Sequence, residues 1–191
     1  QPCADLFHPG ETNLRMADIA VINKIDSADP ASVEEVKEAV VRNNPQARII
    51  MANSPITVEQ PELVKGKKVL VVEDGPTLTH GGMAYGAGVI AAEQLGAGEM
   101  IDPRPYAVGS IKNTFDKYTH LSKLLPAMGY GETQIEELEQ TINNSPAEVV
   151  VIGTPIDLRR VMSLKKPAVR VRYELEEVGT PQIKEMLEKL L

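Results

Sequence analysis

The sequence predicts an α/β protein with a mainly parallel sheet, flanking helices and two domains. Two observations predict it. Ile19-Ala20-Val21-Ile22 is an apolar run without alternation, and after an amphipathic segment Arg48-Ile49-Ile50-Met51-Ala52 repeats it. Short continuous apolar runs read as strands buried on both faces, and strand–helix–strand is the parallel α/β unit. The same pattern restarts after residue 66, with Val69-Leu70-Val71-Val72 and later Val149-Val150-Val151-Ile152.

The elements follow in order. Asp29 before Pro30 is an N-cap with proline at the first helical position. Val33, Val36, Val40 and Val41 share one helical face, and Asn43-Asn44-Pro45 stops that helix. Residues 53–66 form a Pro-bearing connection, which sets the expected domains at 1–60 and 66–191. Gly75-Pro76 breaks the strand over 69–72, and a small-residue helix is expected over 82–95. Residues 102–105 read as rigid loop, 110–128 as a helix, and Ile135, Leu138 and Ile142 as the inner face of another. Thr154 and Pro155 start a short helix. Val169, Val171, Tyr173 and Leu175 alternate with charged residues, the period-two mark of a strand with one wet face at a sheet edge. Thr180-Pro181 caps a last helix.

Composition excludes several classes. With 42% hydrophobic residues in 191, the chain buries a substantial core. A net charge of −7, no Trp and two Phe argue against nucleic-acid binding, which needs a basic surface or stacking platforms. No apolar run reaches the roughly 20 residues that span a bilayer, so no membrane partner is expected. Cys3 is the single cysteine, which fits a reducing cytoplasm. Assembly into a homo-oligomer stays open.

Asn23-Lys24-Ile25-Asp26 closes the first strand and has the pattern of a base-reading loop of GTP-binding proteins. One carboxylate, Asp26, accepts both N–H donors on a guanine edge. Asn23 reaches the opposite edge, and Lys24 lays its stem over the ring and sugar. Asn53 and Ser54, after the next strand, are placed to close over the base. The companion phosphate loop G-x-x-x-x-G-K-[ST] does not occur; Gly66-Lys67-Lys68 is the nearest attempt, and Lys68 replaces its hydroxyl residue. With Gln1 in place of an initiator Met, the expectation is a later part of a longer protein.

Glu73-Asp74-Gly75-Pro76-Thr77-Leu78-Thr79-His80-Gly81-Gly82-Met83 is the densest polar stretch. Asp74 or Glu73 suits Mg²⁺, which takes few carboxylates alongside phosphate oxygens. His80 donates to an anion or moves a proton. Gly81 and Gly82, leading into the expected helix, let a ligand approach backbone N–H groups. A glycine-rich turn with threonine caps explains the same residues. Arg159 and Arg160, after Gly153-Thr154-Pro155, suggest a second anion pocket, equally well read as a capped helix start. Arg104, Lys112 and Lys117 are further candidates for a phosphate-rich substrate. His8 and His120 lack metal-ligand spacing, and no C-x-x-C or H-E-x-x-H occurs, so no structural metal is expected.

Residues 8–26, "HPGETNLRMADIAVINKID", with "NSPITV" and "VEDGPTLTHGGMAYGAGVIAA", resemble the cyclic 2,3-diphosphoglycerate synthetase family of P-loop, GTPase-like proteins. "DPRPYAVGSIKNTF" and "VVVIGTPIDLRRV" are consistent with it. The resemblance implies a partial P-loop NTPase-like unit followed by a second α/β domain, as the carboxyl-terminal portion of a longer enzyme. It implies an NTP-dependent ligase or phosphoryl-transfer activity with ATP or GTP, Mg²⁺ and a small phosphorylated substrate. Asn23, Lys24, Asp26, Asn53 and Ser54 would then hold the base. Asp74, His80, Arg104 and the Gly81–Gly82 backbone would face substrate, with Asp74 on Mg²⁺. An Asp26 suited to guanine sits awkwardly with an ATP-driven reaction. The alternative is a GTP-binding switch or chaperone-like GTPase module. Without a phosphate loop, this portion is expected to be inactive by itself.

Overall fold

The computed structural model describes residues 10–81, 84–180 and 182–190. The chain is α/β, with mixed sheets and flanking helices, in two compact units. Residues 1–55 and 173–191 form one unit, and residues 56–172 the other, so the tail that the sequence reading grouped with the second domain groups with the first.

The first unit contains α1 (Gly10–Met16), β1 (Ile19–Ile22), α2 (Pro30–Asn43), β2 (Arg48–Asn53), β9 (Glu176–Glu177) and α7 (Ile183–Leu190). Strands β1 and β2 are parallel, with Ile19 opposite Arg48, and β9 adds antiparallel to β2. That antiparallel strand makes the sheet mixed, not mainly parallel. Asp29 caps α2 as expected, accepting the Ser32 N–H at 3.0 Å. Val40 is buried on its inner face. Asn44 is the hub of the α1–β1 turn: its side-chain amide donates to Leu14 O and Ala17 O, and its carbonyl accepts from Gln46 and Ala47. The start of α7 is held by Glu177, whose carboxylate accepts the Gln182 and Ile183 N–H groups. The expected cap at Pro181 lies outside the described residues.

The second unit carries β3 (Ile56–Val58), β4 (Lys68–Asp74), α3 (Gly75–Gly81), α4 (Ala87–Gln94), β5 (Glu99–Met100), α5 (Gly109–Lys117), β6 (Leu125–Ala127), α6 (Glu132–Asn144), β7 (Val149–Ile152) and β8 (Ala168–Tyr173). The sheet runs β3-β8-β7-β4-β5, with β6 also paired to β4. Val69 to Val72 and Val150 to Ile152 have no exposed surface. At roughly 1.5–3 kcal/mol for each fully buried aliphatic side chain, these two central strands anchor the unit.

The chain switches sides at β4. From β4 it passes through α3 and α4 to β5, which pairs with the beginning of β4, and then to β6, which pairs with the end. It next crosses through α6 to β7 on the other flank. In open α/β sheets such a switch point leaves a crevice beyond the carboxyl ends of the strands.

Several expectations are corrected here. Strand β8 is not an edge: β3, in the presumed connection, covers it, and only Val169 and Val171 of the alternation are buried. The helix expected over 110–128 stops at Lys117, because Leu124 and Leu125 are fully buried and Pro126 cannot extend a helix. Strand β4 runs straight into α3, with Gly75 and Pro76 as its first residues, so the break expected there is a helix start, and the helix expected over 82–95 is α4, Ala87–Gln94. Near residue 156 the chain makes a 3₁₀ turn, Leu158–Arg160, capped by Asp157 and not by Thr154.

Candidate functional site

In the first unit, Asn23-Lys24-Ile25-Asp26 follows β1 and Ser54 follows β2, so both loops stand at the carboxyl ends of adjacent parallel strands. Lys24 has φ +64°, the left-handed region that a side chain seldom adopts. Local bonds hold it there. Asn23 Oδ1 accepts the Lys24 N–H at 2.8 Å, and Lys24 O accepts from Ser27 and Ala28 at 3.3 and 3.1 Å. Two further bonds lace the loops together: Ile25 N–H to Ala52 O at 3.2 Å, and Ser54 N–H to Asp26 Oδ1 at 3.1 Å. Asn23, Lys24 and Asp26 are exposed, while Asn53 and Ser54 are half-buried. The structure thus brings the five expected base-binding residues to one end of one sheet. Asp26 uses one carboxylate oxygen on Ser54, and its Oδ2 has no partner among the described residues.

In the second unit, the ends of β4, β6 and β7 converge. Asp74 closes β4 opposite Ala127, the last residue of β6. Its Oδ2 caps α3, accepting the Thr77 hydroxyl at 2.6 Å and the Thr77 N–H at 3.3 Å. Gly75 must be glycine: a Cβ there would stand 2.6 Å from Ala127 O and 2.5 Å from Met128 Sδ. Past β6 comes Tyr130, and past β7 come Gly153 and Thr154. The Tyr130 hydroxyl is shut off from solvent, and among the described residues its one polar neighbour is the Thr154 hydroxyl, outside good hydrogen-bonding geometry. Thr154 lies beside it, but its own hydroxyl donates to Ile156 O at 2.7 Å. Burial pushes the Tyr130 phenol upward, Thr154 partly opposes that, and the Asp74 charge adds to the rise. Tyr130 therefore stays a protonated donor across the neutral range. The sequence analysis passed over it. The available signal was an aromatic residue with a polar tip between glycines, Met128-Gly129-Tyr130-Gly131.

Glu73 is 3% exposed. Its carboxylate lies on the start of α4, where Oε1 accepts the Val89 N–H at 3.0 Å. Gly86, Gly88 and Gly153 leave room for it. A helix start that would otherwise attract a ligand anion is filled by the protein's own carboxylate. Gly81 lies at the end of α3, not at a helix start, and Gly82 lies outside the described residues. His80 is on α3, and its side chain lies outside the described residues.

The other basic candidates are committed locally. Arg104 grips Asp102 through Nε at 2.9 Å to both carboxylate oxygens, holding that carboxyl below its usual range. Arg159 grips Asp157 at 2.8 Å and Glu59 at 2.9 Å, and Arg172 reaches Glu59 at 2.6 Å. The Arg159 bonds hold the Asp157 carboxyl down, to about 2. A guanidinium so neutralised makes a weak anion pocket. Lys112 is exposed, and Lys117 lies 5.1 Å over the Tyr118 ring.

As for metal, no three His, Cys, Asp or Glu side chains gather among the described residues. Among the described residues Asp74 has one carboxylate oxygen without a partner, which fits Mg²⁺ only as an ion held mainly by phosphates. Among the described residues no helix is long and apolar enough to cross a membrane.

No family model matches the chain. The chain is 63% identical over 183 residues to arginine synthetase ArcE of Thermococcus kodakarensis. The match covers 96% of this chain and 41% of the relative, so the chain spans about two fifths of that protein's length. This corrects the resemblance to the cyclic 2,3-diphosphoglycerate synthetase family, because the relative that the chain matches almost end to end carries a different name. The fold explains how its most specific motif misled. In "EDGPTLTHGG", Glu73 accepts the Val89 N–H of α4 and Asp74 caps α3 through Thr77, so these residues build a strand-to-helix junction.

Proposed function

We propose that residues 1–191 belong to an NTP-dependent ligase that forms arginine. The carrying observation is the match to arginine synthetase over nearly the whole chain. The geometry agrees in two places. The loops at Asn23–Asp26 and Asn53–Ser54 form one laced wall suited to a nucleobase. The carboxyl ends of β4, β6 and β7 stand at the switch point of the sheet, where open α/β sheets take their ligands, and are assigned to the amino-acid acceptor. No glycine-rich phosphate cradle lies among the described residues, and the helix start best suited to one is filled by Glu73. The triphosphate end is assigned to the remainder of the longer protein, and Mg²⁺ to the phosphates it accompanies.

A synthetase that makes a guanidinium from a ureido group must break one C–O bond and form one C–N bond. Nitrogen from an amine donor becomes bonded to the ureido carbon, and the oxygen leaves with the γ-phosphoryl group as inorganic phosphate, together with NDP. Residues 1–191 contribute binding and orientation, the main protein contributions to phosphoryl chemistry. In this reading Asp74 accepts N–H groups of the acceptor.

The experiment is NDP release by the full-length protein with ATP or GTP, Mg²⁺ and ammonium, with and without citrulline, the ureido analogue of arginine. The proposal requires release that depends on citrulline. NTP turnover indifferent to it contradicts the reading.

A further inference from the structure

We propose that the open edge of β1 is a joint with the rest of the longer protein: an apolar strand from outside residues 1–191 pairs there and makes β1 an interior strand. The inference rests on residues 1–191 being part of a longer protein, and not on the reaction which that protein performs.

Strand β1 stands at the end of its sheet, in the order β1-β2-β9. A parallel ladder engages every second residue of a strand. Asp18 O accepts the Arg48 N–H at 2.9 Å, and Ile19 pairs with Arg48 and Val21 with Ile50, so the backbone groups turned to β2 are those of Asp18, Ala20 and Ile22. Ile19 and Val21 turn their N–H and C=O groups the other way, where no strand pairs with them among the described residues. The side chains stop at the same line. Val21 and Ile50 are paired neighbours on one face, but Val21 is 40% exposed and Ile50 only 6%. Cover on that face runs out at β1.

Natural edge strands are blunted by charges, prolines or bulges. Ile19-Ala20-Val21-Ile22 has no charge and no proline, and it is apolar on both faces, the composition of an interior strand of an α/β sheet. The unit around it is thinly packed. Ile22, Val40, Ile50 and Ala52 are the apolar side chains it buries among the described residues, a small core for a unit of this size. A neighbouring strand would satisfy the Ile19 and Val21 backbone and cover Val21 together. The arginine synthetase of Thermococcus kodakarensis is matched over 41% of its length, so about three fifths of a protein of that size lies outside the match, enough chain to supply the strand.

The test is hydrogen exchange on the full-length protein, resolved to single amides by mass spectrometry. Ala20 and Ile22, bonded to β2, are the internal standard. The Ile19 and Val21 amides are expected to exchange as slowly as that standard, within about ten-fold. Faster exchange marks an edge that stays open and overturns the proposal. A diazirine amino acid in place of Val21 then identifies the partner, and a crosslink to sequence outside residues 1–191 is expected. Crosslinks confined to residues 1–191, or crosslinks that join two copies with protection that fades on dilution, overturn it. The ligase reading is judged separately, by NDP release. Protected amides and the expected crosslink in a protein that releases no NDP sink the reaction and leave the joint standing.

Discussion

Glu73 and Val89 are joined across the start of a helix: Glu73 Oε1 accepts the Val89 backbone N–H at 3.0 Å, from a side chain only 3% exposed. The bond ties the end of the central strand to α4. Gly153 enters the same packing, since a Cβ on it would stand 2.9 Å from Gly88 N and closer still to the Glu73 carboxylate. Gly153→Ala should therefore lower stability by about 1–3 kcal/mol through overpacking. Glu73→Gln should cost a similar amount, since it removes the charge from the helix start and turns an amide donor on the glycine backbone. Urea titration of each variant checks this, and an unchanged midpoint contradicts the latch.

Lys24 stores backbone strain in the loop after β1. At φ +64°, glycine is relaxed, lysine is strained, and a β-branched residue is strained most. Lys24→Gly should leave stability unchanged or raise it by up to about 1 kcal/mol, while Lys24→Val lowers it by about 1–2 kcal/mol. Both should weaken NTP binding by the full-length protein, because both remove the stem proposed to cover the ring. Thermal scans with a nucleotide titration separate the two effects. A Lys24→Gly variant of normal affinity contradicts the assignment of Lys24.

Asp26 has one observed bond, to Ser54, and one proposed task, reading the base, and one substitution divides them. Asp26→Asn keeps an oxygen to accept the Ser54 N–H but replaces the free carboxylate oxygen by a donor. The thermal midpoint should stay near wild type while NTP affinity falls about ten-fold or more. Equal affinity in the variant shows that the loop does not read a base.

Asp157 gives the second unit an acid-sensitive element. Its carboxyl is held down from 3.8 to about 2, chiefly by hydrogen bonds from Arg159. A depressed folded-state pKa contributes stability that is complete above the unfolded value and is lost as pH falls through the folded one. The contribution, about 1–2 kcal/mol at most, should fade from near pH 4 down to near pH 2 and be absent from Asp157→Asn. Urea midpoints across that window, compared between wild type and variant, check it. Parallel curves contradict the pairing.

Much of the frame was legible because β1, β2, β4 and β7 lie where the apolar runs fall, although only β4 and β7 are buried on both faces and Val21 of β1 is exposed. The cap at Asp29 and the inner face of α6, Leu138 and Ile142, were legible for the same local reasons. Strands β3, β5 and β6 were not, being two or three residues long and specified by their neighbours, not by periodicity. The alternation from Val169 misread β8 as an edge, because the pattern records which side faces the core but not whether β3 pairs alongside. At the site, single-residue chemistry was legible and commitment was not. Arg104 and Arg159 read as free cations until Asp102 and Asp157 were found beside them. Tyr130 became visible only when three strand ends converged.

The most direct measurement follows the ureido carbon itself. Citrulline labelled with ¹³C at that carbon, incubated with full-length protein, NTP, Mg²⁺ and ammonium, is monitored by carbon NMR. The account predicts that the ureido resonance is replaced by a guanidinium resonance, with one NDP formed for each carbon converted. A ureido signal that persists while NTP is consumed contradicts it.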